Sequence, residues 1–170
     1  MIPKPACGAA APSARRRPVG VAVEVSNRQR RLRIDARRLA EIATRALELL
    51  HATSTRLSIV LVDDAMIARL NTQYHHALGP TDVLSFDYGE GEGELIVSVD
   101  HAITQARRFH TTPARELALY VVHGILHLHG HDDLGARDRR RMRAAERRLM
   151  ASLAGSPGFK GIISRKTRER

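Results

Sequence analysis

The sequence predicts a single domain of the α+β class, built on a central, roughly four-stranded mixed sheet with about five surrounding helices. A length of 170 residues fits one domain with its own hydrophobic core. Short apolar segments with strand character are interspersed with longer segments of helical periodicity, and no internal repeat is visible. Because the chain has no Trp and only three Phe and three Tyr, its core is expected to be aliphatic.

The first half of the chain is expected to contain two strands and two helices. Residues 19–25 alternate Val with small or charged side chains, which is typical of a strand. Asp35 can cap a helix, because apolar residues follow it at helical spacing. These residues are Leu39, Ile42, Ala46, Leu47 and Leu50. Residues 57–62 form a short apolar run that indicates a buried strand, and Asp63 or Asp64 can cap the next helix.

A pair of strands is expected after the Gly-Pro break in the middle of the chain. Residues 82–88 and 95–99 have strand character, and the Gly- and Glu-rich segment between them indicates a flexible turn, so the two strands should form a hairpin. Asp100 is expected to open a helix that ends near Phe109. Asp82 is interpreted as a cap, a turn former or a surface charge.

Two further helices complete the predicted domain. Thr112 and Pro113 start a long helix that is apolar on most sides, so it is expected to be central and buried. Gly130 is expected to end that helix as a C-terminal cap. The last helix spans about residues 136–153, with one apolar stripe and arginines on its other sides.

The two ends of the chain are expected to be disordered and basic. Residues 1–18 are rich in Ala, Pro and Arg, and residues 155–170 follow the last helix, which leaves 19–154 as the metal-dependent domain. The start of the chain lacks the apolar stretch of a signal peptide, and no apolar run approaches the ~20 residues that span a membrane. The single cysteine, Cys7, excludes a disulfide framework, so a cytoplasmic location is expected.

The charge of the chain favours a polyanionic partner. Its formal net charge is +10, and most of the excess lies in residues 15–38 and 137–170. Nucleic acid or the ribosome is the partner that such an imbalance suggests first. The alternative is that arginine simply replaces lysine on solvated faces.

A segment rich in histidine predicts a metal site. His123 and His127 are four residues apart on the long helix, so they share one face and can hold a single ion. After Gly130 the chain can fold back, and Asp133 is then the first candidate for a third ligand. His131 is the alternative third ligand. Three protein ligands with one open position are typical of a catalytic zinc site, with manganese and iron as alternatives because one ligand is an oxygen.

The predicted metal site has two alternatives, unliganded surface histidines and the active site of a zinc peptidase. Paired helical histidines are often surface residues without a ligand, but these two lie in an otherwise apolar helix, where an unpartnered imidazole is costly. A zinc peptidase of the H-E-x-x-H type has its general base directly after the first histidine, whereas this chain has Gly124 there. The sequence therefore argues for metal binding and against a peptidase.

Three blocks of sequence resemble the YbeY-type endoribonucleases. The segment HGILHLHGHDD, residues 123–133, resembles their signature H-G-x-L-H-L-x-G-[YH]-D-H. LNTQYHHALGPTDVLSF, residues 70–86, is similar to their L-N-x-x-[YF]-R-x-x-D-x-P-T-D-V-L-S-F. GELIVSVDHAITQA, residues 93–106, is similar to their G-D-I-x-I-S stretch and the helix after it. The blocks occur in the family's order, and the likeness covers roughly residues 20–153.

The resemblance implies a fold and an activity. The fold is a four-stranded sheet with surrounding helices, similar to zinc-dependent (zincin-like) hydrolases. The activity is single-strand-specific cleavage of RNA by metal-activated water, in the maturation of small-subunit rRNA and in ribosome biogenesis. The partners that it implies are single-stranded rRNA and the small ribosomal subunit, with one zinc ion as cofactor and no membrane.

Three positions depart from the family's pattern. Asp133 stands where the family has its third zinc-binding histidine, and Asp is a competent zinc ligand. His75 stands where the family has an arginine that serves activity, so His75 is the catalytic candidate here, with His76 or a nearby arginine able to compensate. Leu78 replaces an aspartate of the same block. These departures keep open the alternative of an RNA-binding ribosome-assembly factor with weakened or lost nuclease activity; a zinc metallopeptidase is the least favoured reading.

Overall fold

Residues 20–156 and 158–163 are described by the computed structural model, and within them the chain forms four strands and five helices. The elements follow in the order β1 (Gly20–Asn27), α1 (Ala36–Leu49), β2 (Ser54–Val62), α2 (Asp64–His75), β3 (Val83–Gly89), β4 (Glu92–Ser98), α3 (Val99–Arg108), α4 (Pro113–Leu128) and α5 (Ala136–Ala154), with a final 3₁₀ turn (Phe159–Gly161). The predicted arm, residues 1–18, lies outside the described residues. No helix in the described part is long and apolar enough to cross a membrane.

The four strands form one mixed sheet in the order β1-β2-β4-β3. Strand β2 pairs in parallel with β1 on one side and with β4 on the other. Strand β3 pairs antiparallel with β4, and the register shifts between Asp87 and Gly89. The predicted α+β class, the mixed four-stranded sheet and the hairpin between its last two strands are therefore confirmed.

The two faces of the sheet are covered by different helices. On β4, Leu95 and Val97 join a large aliphatic core to which α1, α3, α4 and α5 also contribute. Ile96, which points to the opposite face, joins a smaller core with Phe86 of β3 and Ile67 of α2. Helix α2 therefore lies on the face of the sheet opposite to α4.

Side-chain caps start four of the five described helices. Asp35, Asp63 and Thr112 accept hydrogen bonds from the backbone N–H groups three residues further on, as the sequence predicts for α1, α2 and α4. Helix α3 begins at Val99, one residue before Asp100, where the sequence predicts its start. Ser98 accepts the bond from the His101 N–H, and Asp100 lies inside the first turn.

The packed chain extends beyond residue 154, the predicted end of the domain. Ile162 is fully buried in the large core. Its carbonyl accepts a hydrogen bond of 2.8 Å from the Asp35 N–H, and Ile163 forms an antiparallel bridge with Ile34. The predicted disordered tail is thus corrected for residues 158–163, because apolar side chains there find a place against the start of α1. Residues 164–170 lie outside the described part.

Candidate metal centre

Helix α4 carries one polar stripe in an otherwise apolar surface. Glu116, Tyr120, His123 and His127 follow one another at intervals of three or four residues, so they share one side of the helix. The remaining residues of α4 are mostly buried in the large core. The two histidines are part of this stripe, and their side chains are 19% and 30% exposed. Both imidazoles are therefore partly exposed to solvent, although most of the helix that carries them is buried.

The two histidines and Asp133 converge on one point. The Nε2 atoms of His123 and His127 are 3.0 Å apart. The Asp133 carboxylate lies 3.9 Å from His123 Nε2 and 4.0 Å from His127 Nε2. Within the described residues, these three are the one group of histidine, cysteine or acidic side chains that could hold a metal ion.

The end of α4 turns the chain so that Asp133 can reach the histidines. Gly130 has a φ of +80°, and its N–H donates to the His127 carbonyl, while the His131 N–H donates to the Leu126 carbonyl. This pattern is a Schellman motif, in which glycine takes the left-handed position. The predicted stop at Gly130 is therefore confirmed.

A side-chain turn then orients the ligand loop, residues 131–135. The Asp132 carboxylate accepts hydrogen bonds from the backbone N–H groups of Asp133, at 2.6 Å, and Leu134, at 3.1 Å. From α5, the Arg139 guanidinium donates to the carbonyls of Asp133 and Leu134, at 3.2 and 2.7 Å. The loop is therefore held from both sides.

The other two histidines of the segment lie outside the cluster. His129 is exposed, and its Nδ1 is 2.9 Å from the Ile125 carbonyl oxygen, with which it can hydrogen-bond. His131 lines a separate cleft of about 240 Å³ together with Asp138 and Arg141. The structure thus brings Asp133, and not His131, to the pair formed by His123 and His127.

Glu146 of α5 holds His123 from behind. Its Oε1 is 2.6 Å from His123 Nδ1, and its side chain is only 17% exposed. A carboxylate next to Nδ1 favours the neutral tautomer in which Nδ1 carries the proton and donates it in a hydrogen bond. The lone pair of Nε2 is then available to a metal ion. Glu146 was not predicted from the sequence. The available signal was an acid three residues before the buried Leu149, on a helix otherwise dominated by arginine.

The same neighbours change the pKa of His123. Burial by itself lowers that pKa, but the Glu146 hydrogen bond and the negative charges of Asp82, Glu146 and Asp133 outweigh burial, so the pKa of His123 is raised. Asp82, interpreted from the sequence as a cap or surface charge, therefore acts on the polar stripe. Its own carboxylate accepts hydrogen bonds from the Thr81 hydroxyl and the Val83 N–H.

Tyr120 occupies the buried part of the stripe. Its hydroxyl has no hydrogen-bond partner among the described residues. Burial, followed by the negative charges of Glu116, Asp82 and Asp64, raises the pKa of Tyr120 far above its usual range. The phenol therefore keeps its proton, and its hydroxyl is available to donate a hydrogen bond.

The donor set fits zinc. Four ligands at tetrahedral positions, each about 2.0 Å from zinc, lie about 3.3 Å from one another. The 3.0 Å between the histidine nitrogens is close to that spacing, and the Asp133 side chain, 43% exposed, can rotate inward to close its longer distances. Two nitrogens and one oxygen leave a fourth position for substrate or water.

Gly124 lies where α4 closely approaches the sheet. A Cβ atom at this position would lie 2.6 Å from Leu95 Cδ2 and 3.1 Å from the Ser85 hydroxyl oxygen. The position directly after His123 thus faces the sheet, where α4 and the strands are in contact. A side chain at this position would require the buried Leu95 side chain to shift.

His75 is not part of the cluster. It ends α2, is exposed, and its ring centroid is 6.4 Å from that of Phe86, which belongs to the smaller core. His76, beside it, takes the left-handed conformation with φ 54°, and Leu78 is 92% exposed. The structure therefore places His75 beside Phe86, whose side chain lies on the sheet face opposite to α4.

Comparisons with known proteins agree on one family. The family model described as Endoribonuclease YbeY matches residues 24–154. The chain is 37% identical to Endoribonuclease YbeY of Geobacter metallireducens over 142 residues, which cover 77% of this chain and 95% of that protein. It is 36% identical to Endoribonuclease YbeY of Pelotomaculum thermopropionicum, over 77% of this chain and 96% of that protein.

A solved structure supports the fold. The solution structure of TM1509 from Thermotoga maritima matches with a TM-score of 0.58, over 88% of this chain and 99% of that chain. At 23% sequence identity, this likeness concerns the fold alone.

Proposed function

The chain belongs to the YbeY endoribonuclease family, and we propose that it is a metal-dependent, single-strand-specific endoribonuclease that matures small-subunit rRNA. The reaction is hydrolysis of an RNA phosphodiester bond. The single observation that carries the proposal is the convergence of His123, His127 and Asp133, backed by Glu146. The small ribosomal subunit as partner and the cytoplasm as location belong to the same proposal.

The proposed cofactor is one zinc ion held by His123, His127 and Asp133. Manganese and iron are the alternatives, because a carboxylate ligand suits harder ions. A bound divalent ion supplies Lewis acidity, which polarises a phosphoryl oxygen and lowers the pKa of water toward neutrality. The ligand set carries the family signature with Asp133 in place of the last histidine, and the carboxylate adds a negative charge to the site.

The chain's own residues orient the site. Glu146 fixes the ring of His123 and directs its Nε2 toward Asp133, at 3.9 Å. The Asp132 turn and Arg139 hold the loop that carries Asp133. All three proposed ligands are partly exposed, so an RNA strand can approach the cluster from solvent.

Hydrolysis of peptides is disfavoured by the same geometry. The general base of an H-E-x-x-H enzyme occupies the position of Gly124, which has no side chain and lies against Leu95 of the sheet. A protease assay with casein under zinc titration is expected to show no cleavage.

The proposal is tested with purified full-length protein and single-stranded rRNA fragments. Cleavage is expected to stop after chelation and to return with zinc, manganese or iron. His127→Ala is expected to lose both stoichiometric metal and cleavage. His129→Ala, which changes a histidine two residues away and outside the cluster, is the matched control and is expected to retain both. Cleavage without metal, or no cleavage with any metal, would contradict the enzymatic proposal.

A second candidate is an RNA-binding ribosome-assembly factor with weak or lost nuclease activity. His75, Leu78 and Asp133 favour it, because each departs from the family's pattern. The double variant His75→Arg/Asp133→His discriminates between the two candidates. If this variant cleaves RNA and the parent does not, the parent is a binding factor; equal cleavage removes this candidate.

A catalytic role for His75 remains a prediction. Its observed neighbour is Phe86 of the smaller core, and this contact lends that role no support. His75→Ala is expected to lower the rate of cleavage without changing metal content if the role is real. An unchanged rate would remove it.

A further inference from the structure

We propose that Arg139, Arg143 and Arg147 on α5 form an arginine row that binds consecutive phosphates of single-stranded RNA and leads the strand to the metal centre. The inference rests on the proposed function, because it names the surface by which that function holds its substrate. It concerns binding rather than cleavage, so the two can be tested separately.

The row has the geometry of a linear track. Its members are four residues apart, so they lie along one side of α5 with a rise of about 6 Å from one to the next. This interval is comparable to the distance between consecutive phosphates of an extended strand. All three are exposed. Guanidinium groups suit this task because their fork of donors matches two phosphate oxygens at once.

The row begins at the metal centre. Arg139 donates to the carbonyls of Asp133 and Leu134 in the ligand loop. Glu146, which contacts His123, lies on the same side of α5, three residues after Arg143 and next to Arg147. A strand bound along the row would therefore reach the cluster of His123, His127 and Asp133.

In the part of the chain that the structure describes, no acid neutralises the outer part of the row. Helix α5 contains two acidic residues, Asp138 and Glu146. Glu146 is turned to His123, and Asp138 is 3.9 Å from Arg141, which lies on another side of the helix. Among the described residues, Arg143 and Arg147 have no ion-pair partner. Unpaired guanidinium groups of this kind are free to displace counterions from a nucleic acid backbone.

Arginines on the opposite side of α5 offer a matched control. Arg137 and Arg148 are also exposed and belong to the same helix, but they lie away from Glu146. If the arginines of α5 serve only to keep the helix solvated, then the two pairs are equivalent. If the row binds phosphates, then only the pair Arg143 and Arg147 matters for RNA.

The test compares Arg143→Gln/Arg147→Gln with Arg137→Gln/Arg148→Gln in the full-length, zinc-loaded protein. Both double variants lose the same charge, so an effect of net charge alone is identical in the two. The probe is a fluorescently labelled single-stranded oligoribonucleotide, and its affinity is measured by anisotropy across a series of KCl concentrations. Zinc content and circular dichroism establish that both variants are folded and loaded.

The row variant is expected to lose at least about tenfold in affinity at low salt, and its slope of log K against log salt should fall by about 1.4, for two lost phosphate contacts. The control variant is expected to keep both values close to those of the parent. Equal losses in the two variants, or no loss in either, would overturn the row. Row-dependent binding by a parent that never cleaves RNA would keep the row and remove the proposed enzymatic function.

Discussion

Helices α1 and α5 are both rich in arginine, yet their outer surfaces differ in charge balance. In α1 each arginine has an acid within reach: Arg37 with Glu41 at 3.2 Å, Arg38 with Asp35 at 3.3 Å and Arg45 with Glu48 at 3.0 Å. In α5 seven arginines share two acids, and one of these acids is committed to His123. Arginine content alone therefore does not identify a nucleic-acid surface; the position of the acids decides.

The acids of the two helices also do different work. Glu41 and Glu48 are about half exposed, at 52% and 50%, and exposed ion pairs contribute at most about 1 kcal/mol each. Glu146 is 17% exposed and reaches a histidine of the neighbouring helix. An acid on the outer side of a helix balances charge, whereas an acid at the helix–helix contact can orient a ligand.

The largest effects are expected where the two helices are alike, on their buried sides. Leu39 of α1 and Leu153 of α5 are both fully buried in the large core. Leu39→Ala and Leu153→Ala should each lower the free energy of unfolding by about 2–5 kcal/mol, because each leaves a cavity. Urea denaturation measures both. A much smaller loss for Leu153 would mean that α5 is only loosely attached, and the comparison of outer surfaces would then lose its basis.

The difference between the acids should appear in metal affinity. Glu146→Gln is expected to weaken zinc binding about 10- to 100-fold, because the orienting partner of His123 is weakened. Glu41→Gln in α1 makes the same chemical change at a surface ion pair and should leave zinc binding unchanged. Competition with a chromogenic chelator gives both affinities. Equal affinities for the two variants would show that Glu146 is only another surface charge.

The starts of the two helices differ as well. Asp35 caps α1 with its side chain, whereas Gly135 precedes α5 and makes no side-chain cap. Asp35→Ala should cost about 0.5–2 kcal/mol of stability, and Gly135→Ser should add only a few tenths of a kcal/mol. Thermal or urea unfolding measures both changes in stability. A large gain from Gly135→Ser would mean that the start of α5 is a weak point of the fold.

The smallest effect is expected in the pH dependence of the metal-free protein. Because the pKa of His123 is raised in the folded state, the protonated imidazole stabilises the fold. That stabilisation is fully present below the unfolded pKa of about 6.5 and is lost as the pH rises through the folded pKa. The Glu146→Gln variant should therefore be less stable than the parent at low pH, and this difference in the free energy of unfolding should shrink as the pH rises. The Glu41→Gln variant should show no such trend. Urea titrations of chelated protein at several pH values measure the gap; a gap that widens with pH would contradict the assignment.

Much of the fold could be predicted because its signals are local. The strand and helix segments follow from periodicity, and the caps Asp35, Asp63 and Thr112 lie directly before apolar patterns. The pair His123 and His127 is visible for the same reason, since four residues on a helix are one turn. Asp133 could be named because Gly130 signals the turn that returns the chain.

The features that could not be predicted depend on packing between distant segments. Glu146 meets His123 only because α5 lies against α4, since the two residues are 23 positions apart in sequence. The place of His75 depends on which face of the sheet α2 covers, which no motif reveals. Gly124 looked like a missing catalytic residue, but the structure also shows it as the point where α4 touches the sheet.

The backbone hydrogen bond between Asp35 and Ile162 can report on local opening at the end of the domain. The Asp35 amide hydrogen is engaged by the Ile162 carbonyl, so its exchange with deuterium records each release of residues 158–163 from the start of α1. Slow exchange at this amide would show that residues 158–163 detach only when the rest of the core unfolds. Exchange faster than in the middle of α1 would mark a segment that opens on its own, independently of α1.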